Sequence, residues 1–313
     1  MLSFPLMRMG ERSWGAYPFR TKAHLARGGR GRIIAAHAAA VASATVAAVY
    51  SFYMESRWYE TTTLRIPVRG LPPAFHGFRI VQLSDIHLSS VVPMSFVDRC
   101  LEGACDLDPD LIVLTGDYVT TRDSKYSDQI LRAFRGLRAR AGTIAVLGNH
   151  DRGIYKWRRS SRVPVDAAAC QDRFDGAGVR LLVNESILLR SAGSTLAIVG
   201  LDDLWSGSFR PDWAFDGLEA ATPRVVLCHN PNGAVAMNGH RADIILSGHT
   251  HGGQVVLPLV GARWLPTEHR QFVAGLYRVG SNLLYVNRGI GHLPPARFNC
   301  HPEISVFELA PAH

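Results

Sequence analysis

Cysteine is scarce in this chain. There are five in 313 residues, Cys100, Cys105, Cys170, Cys228 and Cys300, an odd number with no CxxC pair. That argues against a disulfide-stapled scaffold or a thiolate zinc site, although one isolated disulfide stays compatible with the count. Charged residues make up only 19% and hydrophobic ones 47%, which excludes a wholly disordered, collagen-like or coiled-coil chain. No repeat and no low-complexity linker is present apart from one Ala-rich run. A dense basic stripe is missing too: residues 1–32 hold seven Lys/Arg against the single acid Glu11, so the tail carries +6 of the formal +8 and the rest only +2. No specific nucleic-acid partner is therefore expected of the folded part. The length suits two domains or one large α/β domain.

The Ala-rich run is "IIAAHAAAVASATVAAVY", residues 33–50, with nine alanines, His37 and no formal charge. As a helix it would extend about 27 Å, just enough to cross a bilayer. Three readings stand: a membrane anchor or uncleaved signal over 33–53, a cleaved export signal with "ASA" at 42–44, and a soluble or surface-lying Ala-rich helix. Tyr50, Phe52 and Tyr53 have the character of interfacial anchors and favour the first. Arg20, Lys22, Arg27, Arg30 and Arg32 before the run, against Glu55, Arg57 and Glu60 after it, would leave residues 1–32 in the cytoplasm and the remainder across the membrane. No adjacent arginines precede the run, so a twin-arginine signal is not expected. The expected organisation is a basic tail (1–32), an apolar helix (33–53) and a folded domain (60–313).

From residue 60 onward, "TTTLRIPV" (61–68) reads as an edge strand, and "FRIVQLSD" (78–85), "LIVLTGD" (111–117) and "GTIAVLGNHD" (142–151) as buried strands. They alternate with a helix and loop over 94–110 and a helical segment at 128–140, the pattern of an α/β fold whose polar residues gather at strand ends. After a helix at 166–178 the chain becomes mostly strands, which favours a second, largely β layer packed on the first.

Five polar clusters follow apolar strands: "SDIH" (84–87), "GD" (116–117), "GNHD" (148–151), "CHN" (228–230) and "SGHTHGG" (247–253). Taken singly, Asp85 or Asp117 reads as a cap or turn residue as readily as a ligand, His87 and His229 more readily as partly buried histidines, and Asn149 as a turn residue. Five in order carry a different meaning. Asp85 and His87 are two apart, a spacing that aims both to one side of a strand-like segment. His249 and His251 share it. Four histidines, two aspartates and one asparagine are too many for one tetrahedral zinc and suit two divalent ions. A mixed N/O set fits Mn²⁺ first, with Fe²⁺ or Zn²⁺ as alternatives, and four imidazoles disfavour Mg²⁺ alone.

The set "DIH", "GDYV", "GNHD", "CHNP" and "GHTHGGQ" resembles the calcineurin-like metallophosphoesterases over about residues 76–309. Within them, "GLDD", "FVAGLY" and "NRGIGHLPPARFNCHPEISVFEL" are similar to the YaeI/YkuE-type bacterial membrane-associated or exported phosphoesterases. The resemblance implies a four-layer α/β/β/α sandwich with two mixed β-sheets. It implies Asp85, His87 and His251 at a first ion, Asn149, His229 and His249 at a second, and Asp117 as the bridge. His150 would be the catalytic residue outside the ligand set and Asp151 its orienting partner. A metal-dependent phosphoric ester hydrolase at a bacterial inner membrane follows, its catalytic domain on the extracytoplasmic side. The substrate would be a phosphodiester or pyrophosphate, possible lipid-linked forms including UDP-2,3-diacylglucosamine; a nuclease is the weaker alternative. Lys156, Arg158 and Arg159 suggest a phosphate contact or a solvated basic loop, and Trp205 a stacking or packing residue. Protein partners leave no readable trace.

Overall fold

The computed structural model describes residues 23–312 except 122, 156–165, 238, 263–264 and 294–295, so the basic residues Lys156, Arg158, Arg159 and Arg162 lie outside the described residues. The chain divides into two compact units, Met1–Ala48 and Val49–His313.

Helix α1 (Ala23–Val49) carries the Ala-rich run, and residues 31–49 are exposed all round. Two polar side chains within it turn back onto the helix. His37 Nδ1 lies 2.8 Å from the Ile33 carbonyl, and Thr45 Oγ1 donates to Val41 at 2.9 Å. Such i−4 bonding satisfies polar groups without outside help, as a lipid environment requires. The stretch Gly31–Arg57 is long and apolar enough to cross a membrane.

In the second unit, one sheet holds β1 (Glu60–Val68), β2 (Arg79–Leu83), β3 (Leu111–Leu114), β4 (Thr143–Ala145), β5 (Val179–Leu181) and β14 (Glu303–Pro311), in the order β1-β14-β2-β3-β4-β5. The other holds β6 (Glu185–Ser191), β7 (Ser194–Gly200), β8 (Arg224–Leu227), β9 (Ile244–Ser247), β12 (Gly275–Val279) and β13 (Asn282–Val286), in the order β12-β13-β9-β8-β7-β6. A hairpin of β10 (Val256–Leu257) and β11 (Gly261–Ala262) stands apart. Each large sheet is mixed: β2 to β5 run parallel beside antiparallel β14, and β7, β8, β9 and β13 run parallel between antiparallel β6 and β12. Pro67, which has no N–H to give a ladder, sits in edge strand β1.

Alternation along the strands builds the layers. Leu111 and Val113 face Ile198, Val225 and Leu246 of the other sheet, whereas Ile112 and Leu114 face Phe96, Ile130 and Phe134 from α2 (Met94–Asp106) and α3 (Ser124–Phe134). Phe174 of α4 (Ala168–Asp175) joins that outer layer. On the far side, Val226 and Ile245 pack under α5 (Pro211–Phe215) and α6 (Gly233–Ala236). The strands β3, β8 and β9 are buried on both faces, which is why they read as unbroken apolar runs. Each such fully buried aliphatic side chain is worth about 2 kcal/mol. Buried polar ties also cross between the sheets: Gln82 Nε2, which donates to Thr115 Oγ1 at 2.8 Å within its own sheet, donates to the Ser247 carbonyl of the other at 3.0 Å. The Gln82 amide registers the ends of β2, β3 and β9, three of the five strands that deliver the polar clusters.

Candidate metal centre

Five loops leaving the C-terminal ends of β2, β3, β4, β8 and β9 meet at one edge of the sandwich. The first two run side by side through alternate backbone bonds: Asp85 N–H to Gly116 O, His87 N–H to Asp117 O and Leu88 N–H to Tyr118 O, each 3.0 Å. This corrects the strand-like reading of residues 85–87. The strand stops at Leu83, and Asp85, His87, Asp117, His249 and His251 all have left-handed backbone, with φ of 49°, 48°, 58°, 72° and 52°. Non-glycine residues hold that conformation at a cost of about 1–2 kcal/mol each, sustained by the surrounding bonds. Two glycines make room. A Cβ on Gly148 would fall 2.2 Å from Asp117 Oδ1, and one on Gly248 within 2.1 Å of Ser84 Oγ and Asp85 Oδ2.

The seven predicted ligand residues come together in two donor sets, all buried. In the first, His87 Nε2 and His251 Nε2 are 3.1 Å apart and Asp85 Oδ1 lies 3.5 Å from His251 Nε2. In the second, His229 Nε2 is 3.2 Å from His249 Nδ1 and 3.3 Å from Asn149 Oδ1. One oxygen faces both: Asp117 Oδ2 lies 3.5 Å from His87 Nε2 and 3.2 Å from His229 Nε2.

Burial, then neighbouring imidazoles, push His87, His249 and His251 down, His249 to about 3, so all three are neutral and ready to donate lone pairs at pH 7. Burial also pushes Asp117 up, but His229 and His150 outweigh it and hold its carboxylate well below the usual range. His229 is the partner of that balance: burial lowers it, and Asp117 raises it above its ordinary value. Asp85 rises to about 6 through burial, against the opposing pull of His229. Among the described residues, Nδ1 of His87 and of His251 has no hydrogen-bond partner, so each ring's one directed interaction is the Nε2 aimed at the shared point. Neutral imidazole nitrogens converging on carboxylate oxygens form a cation-shaped hole. A dinuclear metal-binding site is present, and its donor chemistry fits two divalent ions.

His150 stands beside the first set, its ring centroid 4.7 Å from that of His87, and is only partly buried. Its backbone N–H donates to Asp117 Oδ1 at 2.8 Å, and its Nδ1 lies 2.7 Å from the Thr120 carbonyl, a contact that places the proton on Nδ1. Asp151, expected to orient His150, has another task. Its carboxylate accepts from the N–H groups of Asp117 (2.7 Å), Gly148 (2.9 Å) and Tyr118 (3.0 Å), pinning the loop after β3 to the loop after β4. Burial beside Asp117 raises it to about 7. Trp205 meets the His249 ring edge-on with centroids 4.6 Å apart.

Sequence reasoning passed over several residues that shape this centre. Arg152, 5% exposed, lies 3.4 Å from Asp202 of the "GLDD" turn. Arg297, fully buried, donates to the carbonyls of Arg288, Gly289, Gly291 and Cys300, while Gly291 N–H donates to the Asp85 carbonyl at 2.7 Å. An arginine surrounded by "GHLPPARFNC" gives no local sign of burial, since its acceptors are backbone carbonyls.

Two packed mixed sheets with such a centre at their strand ends define a metal-dependent hydrolase class, and the calcineurin-like phosphoesterase family matches residues 78–253. The chain belongs to that family. It is 34% identical over 280 residues to "Phosphodiesterase YaeI" of Escherichia coli K12, covering 90% of this chain and 98% of that protein. It is 34% identical to the metallophosphoesterase YkuE of Bacillus subtilis, over 83% of this chain and 88% of that one. A 28% identity over 86% of this chain and 94% of the relative links it to the UDP-2,3-diacylglucosamine pyrophosphatase LpxG of Chlamydia muridarum.

Proposed function

We propose that this protein hydrolyses a phosphodiester or pyrophosphate at a centre where Asp85, His87 and His251 hold one ion, Asn149, His229 and His249 a second, and Asp117 bridges them, with Mn²⁺ preferred over Fe²⁺ or Zn²⁺. The observation that carries this reading is the single oxygen, Asp117 Oδ2, facing both donor sets. When bound, two such ions supply water of lowered pKa and neutralise phosphoryl charge. The chain's own part is positioning and proton transfer. With Nδ1 held by Thr120, His150 presents Nε2 as the group that hydrogen-bonds a phosphoryl oxygen or protonates the leaving group. Asp151 keeps the Asp117 and Gly148 loops in register rather than acting on the proton.

The name of one relative, a UDP-2,3-diacylglucosamine pyrophosphatase, and the apolar helix favour a substrate on or near a membrane, a lipid-linked diester or pyrophosphate such as UDP-2,3-diacylglucosamine. The charge asymmetry around the helix favours anchoring in a bacterial inner membrane with the catalytic unit on the extracytoplasmic side. The +2 of residues 33–313 argues against a nuclease.

The test is hydrolysis of bis(p-nitrophenyl) phosphate and of the monoester by the full chain in detergent with Mn²⁺, with bound metal counted in the same sample. Diester turnover with two ions per chain is expected, and folded protein that binds no metal overturns the reading. His150→Ala is expected to keep both ions and lower turnover by roughly 10²- to 10⁴-fold; coincident metal loss would remove it from the proton-transfer role.

A further inference from the structure

The hairpin that follows the last metal motif carries an uncovered apolar tip. Leu257, Leu259 and Val260 are 44%, 108% and 51% exposed, and no charged residue occurs from Val255 to Ala262. Single exposed apolar residues are ordinary, but three on one projecting turn are not. The hairpin is fastened at its base. Val256 N–H donates to the Phe298 carbonyl and Phe298 N–H to Gln254, both at 2.9 Å, and Ala262 packs where a Cβ on Gly253 would fall, 2.3 Å away.

The segment that clamps the hairpin also clamps the start of this unit. Arg297 N–H donates to Ser51 O at 3.2 Å, Cys300 N–H donates to the buried Glu55 carboxylate at 2.5 Å, and the His301 ring packs against Trp58 with centroids 5.3 Å apart. Residues 51–58 are the continuation of the membrane-length apolar stretch, and Phe52, Tyr53, Met54 and Trp58 are exposed there. Two groups of uncovered apolar side chains are thus tied to one short segment, 297–301. The same segment touches the metal loop, with Cys300 Sγ 3.3 Å from the His251 carbonyl.

We infer that the Leu257–Val260 tip is a second membrane contact, inserting its apolar side chains into the bilayer interface next to the point where the chain enters this unit. A single tether lets a domain rotate freely, whereas two attachments bonded to one segment set its orientation. Apolar faces of interfacial helices bury about 5–10 Å into the headgroup and acyl boundary, the zone proposed for the tip. The inference rests on the anchor reading proposed above and not on the hydrolytic one.

The test uses the full chain in phosphatidylethanolamine/phosphatidylglycerol vesicles. Leu259→Cys, at the most exposed position, is labelled with bimane and its fluorescence followed with lipids bearing a nitroxide at acyl position 5. Ala192→Cys, in the exposed β6–β7 turn at the end of the second sheet away from the metal loops, is the reference, and the unsubstituted chain gives the background from native cysteines. Quenching several-fold greater at Leu259→Cys than at Ala192→Cys is expected. Vesicle-bound chain with equal quenching at the two positions overturns the second contact alone. Concentration-dependent shielding of the Leu259→Cys label without lipid quenching assigns the tip to a second copy and also overturns it. Failure of the chain to float with vesicles overturns the anchor and the second contact together.

Discussion

The two donor sets differ in what holds their imidazoles. His229 and His249 are each fixed from behind by a carbonyl, Thr115 at 2.7 Å and Pro266 at 2.8 Å. His87 and His251 have no such support among the described residues. They are held by packing, as two stacked rings with centroids 4.8 Å apart and planes inclined by 28°. Outer hydrogen bonds fix tautomer and ring direction and raise ligand basicity, so the second set is pre-oriented and the first depends on close packing. The difference teaches that one crowded site combines two ways of holding a ligand, joined at the shared Asp117.

The comparison breaks most completely at that shared oxygen. Asp117→Ala is expected to reduce the metal occupancy of both sets and to lower turnover by at least about 10³-fold, since the loss of one preorganised electrostatic group alone reaches that range. Metal analysis showing loss of a single ion would mean that Asp117 serves one set only. A smaller effect separates the sets by pH. In the metal-free protein His229 keeps its proton at neutral pH because Asp117 lies beside it, so an ion entering the second set must expel that proton. Affinity there is expected to rise about ten-fold per pH unit above neutrality, with one proton released, as read by calorimetry in buffers of different ionisation heat. Affinity at the first set should level off above about pH 6, where Asp85 has ionised and His87 and His251 are already neutral.

Asp151→Ala removes the acceptor of three backbone N–H bonds and is expected to destabilise the metal-free chain by about 3 kcal/mol, read from its denaturant midpoint. An unchanged midpoint would show that the loops after β3 and β4 hold their register without it. The smallest effect is Trp205→Ala, which takes away an edge contact to His249 and should weaken the second set's ion about ten-fold while leaving the first set unchanged.

Much of this was legible in the sequence because it is written in short segments. The buried parallel strands show as apolar runs such as "LIVL" and "IILS", each followed at once by its polar cluster. The seven candidate ligand positions lie within four residues of the ends of those runs, so picking them out needs no tertiary knowledge. What spacing misjudged was backbone conformation. Two residues apart suggested a strand at Asp85 and His87, whereas cross-loop bonds to Gly116 and Asp117 hold them left-handed. The family resemblance also implied that Asp151 serves His150, when distance in space gives that carboxylate to three N–H groups and His150 to Thr120.

The sequence alone determined the composition of the centre: which side chains can donate to metal, in what order they follow the strands, and that an apolar helix precedes them. The tertiary structure decided how the donors divide into sets, which oxygen faces both, and which surface apolar residues share a support with the entry segment. Those relations join residues as far apart as Asp85 and His251, which meet because the packing of two sheets brings their loops to one edge, or Glu55 and Cys300, which meet because the parallel pairing of β1 with β14 sets their leading segments side by side. Side-chain chemistry is local to the chain, whereas bridging, sharing and facing are distances in space that no spacing along the chain encodes.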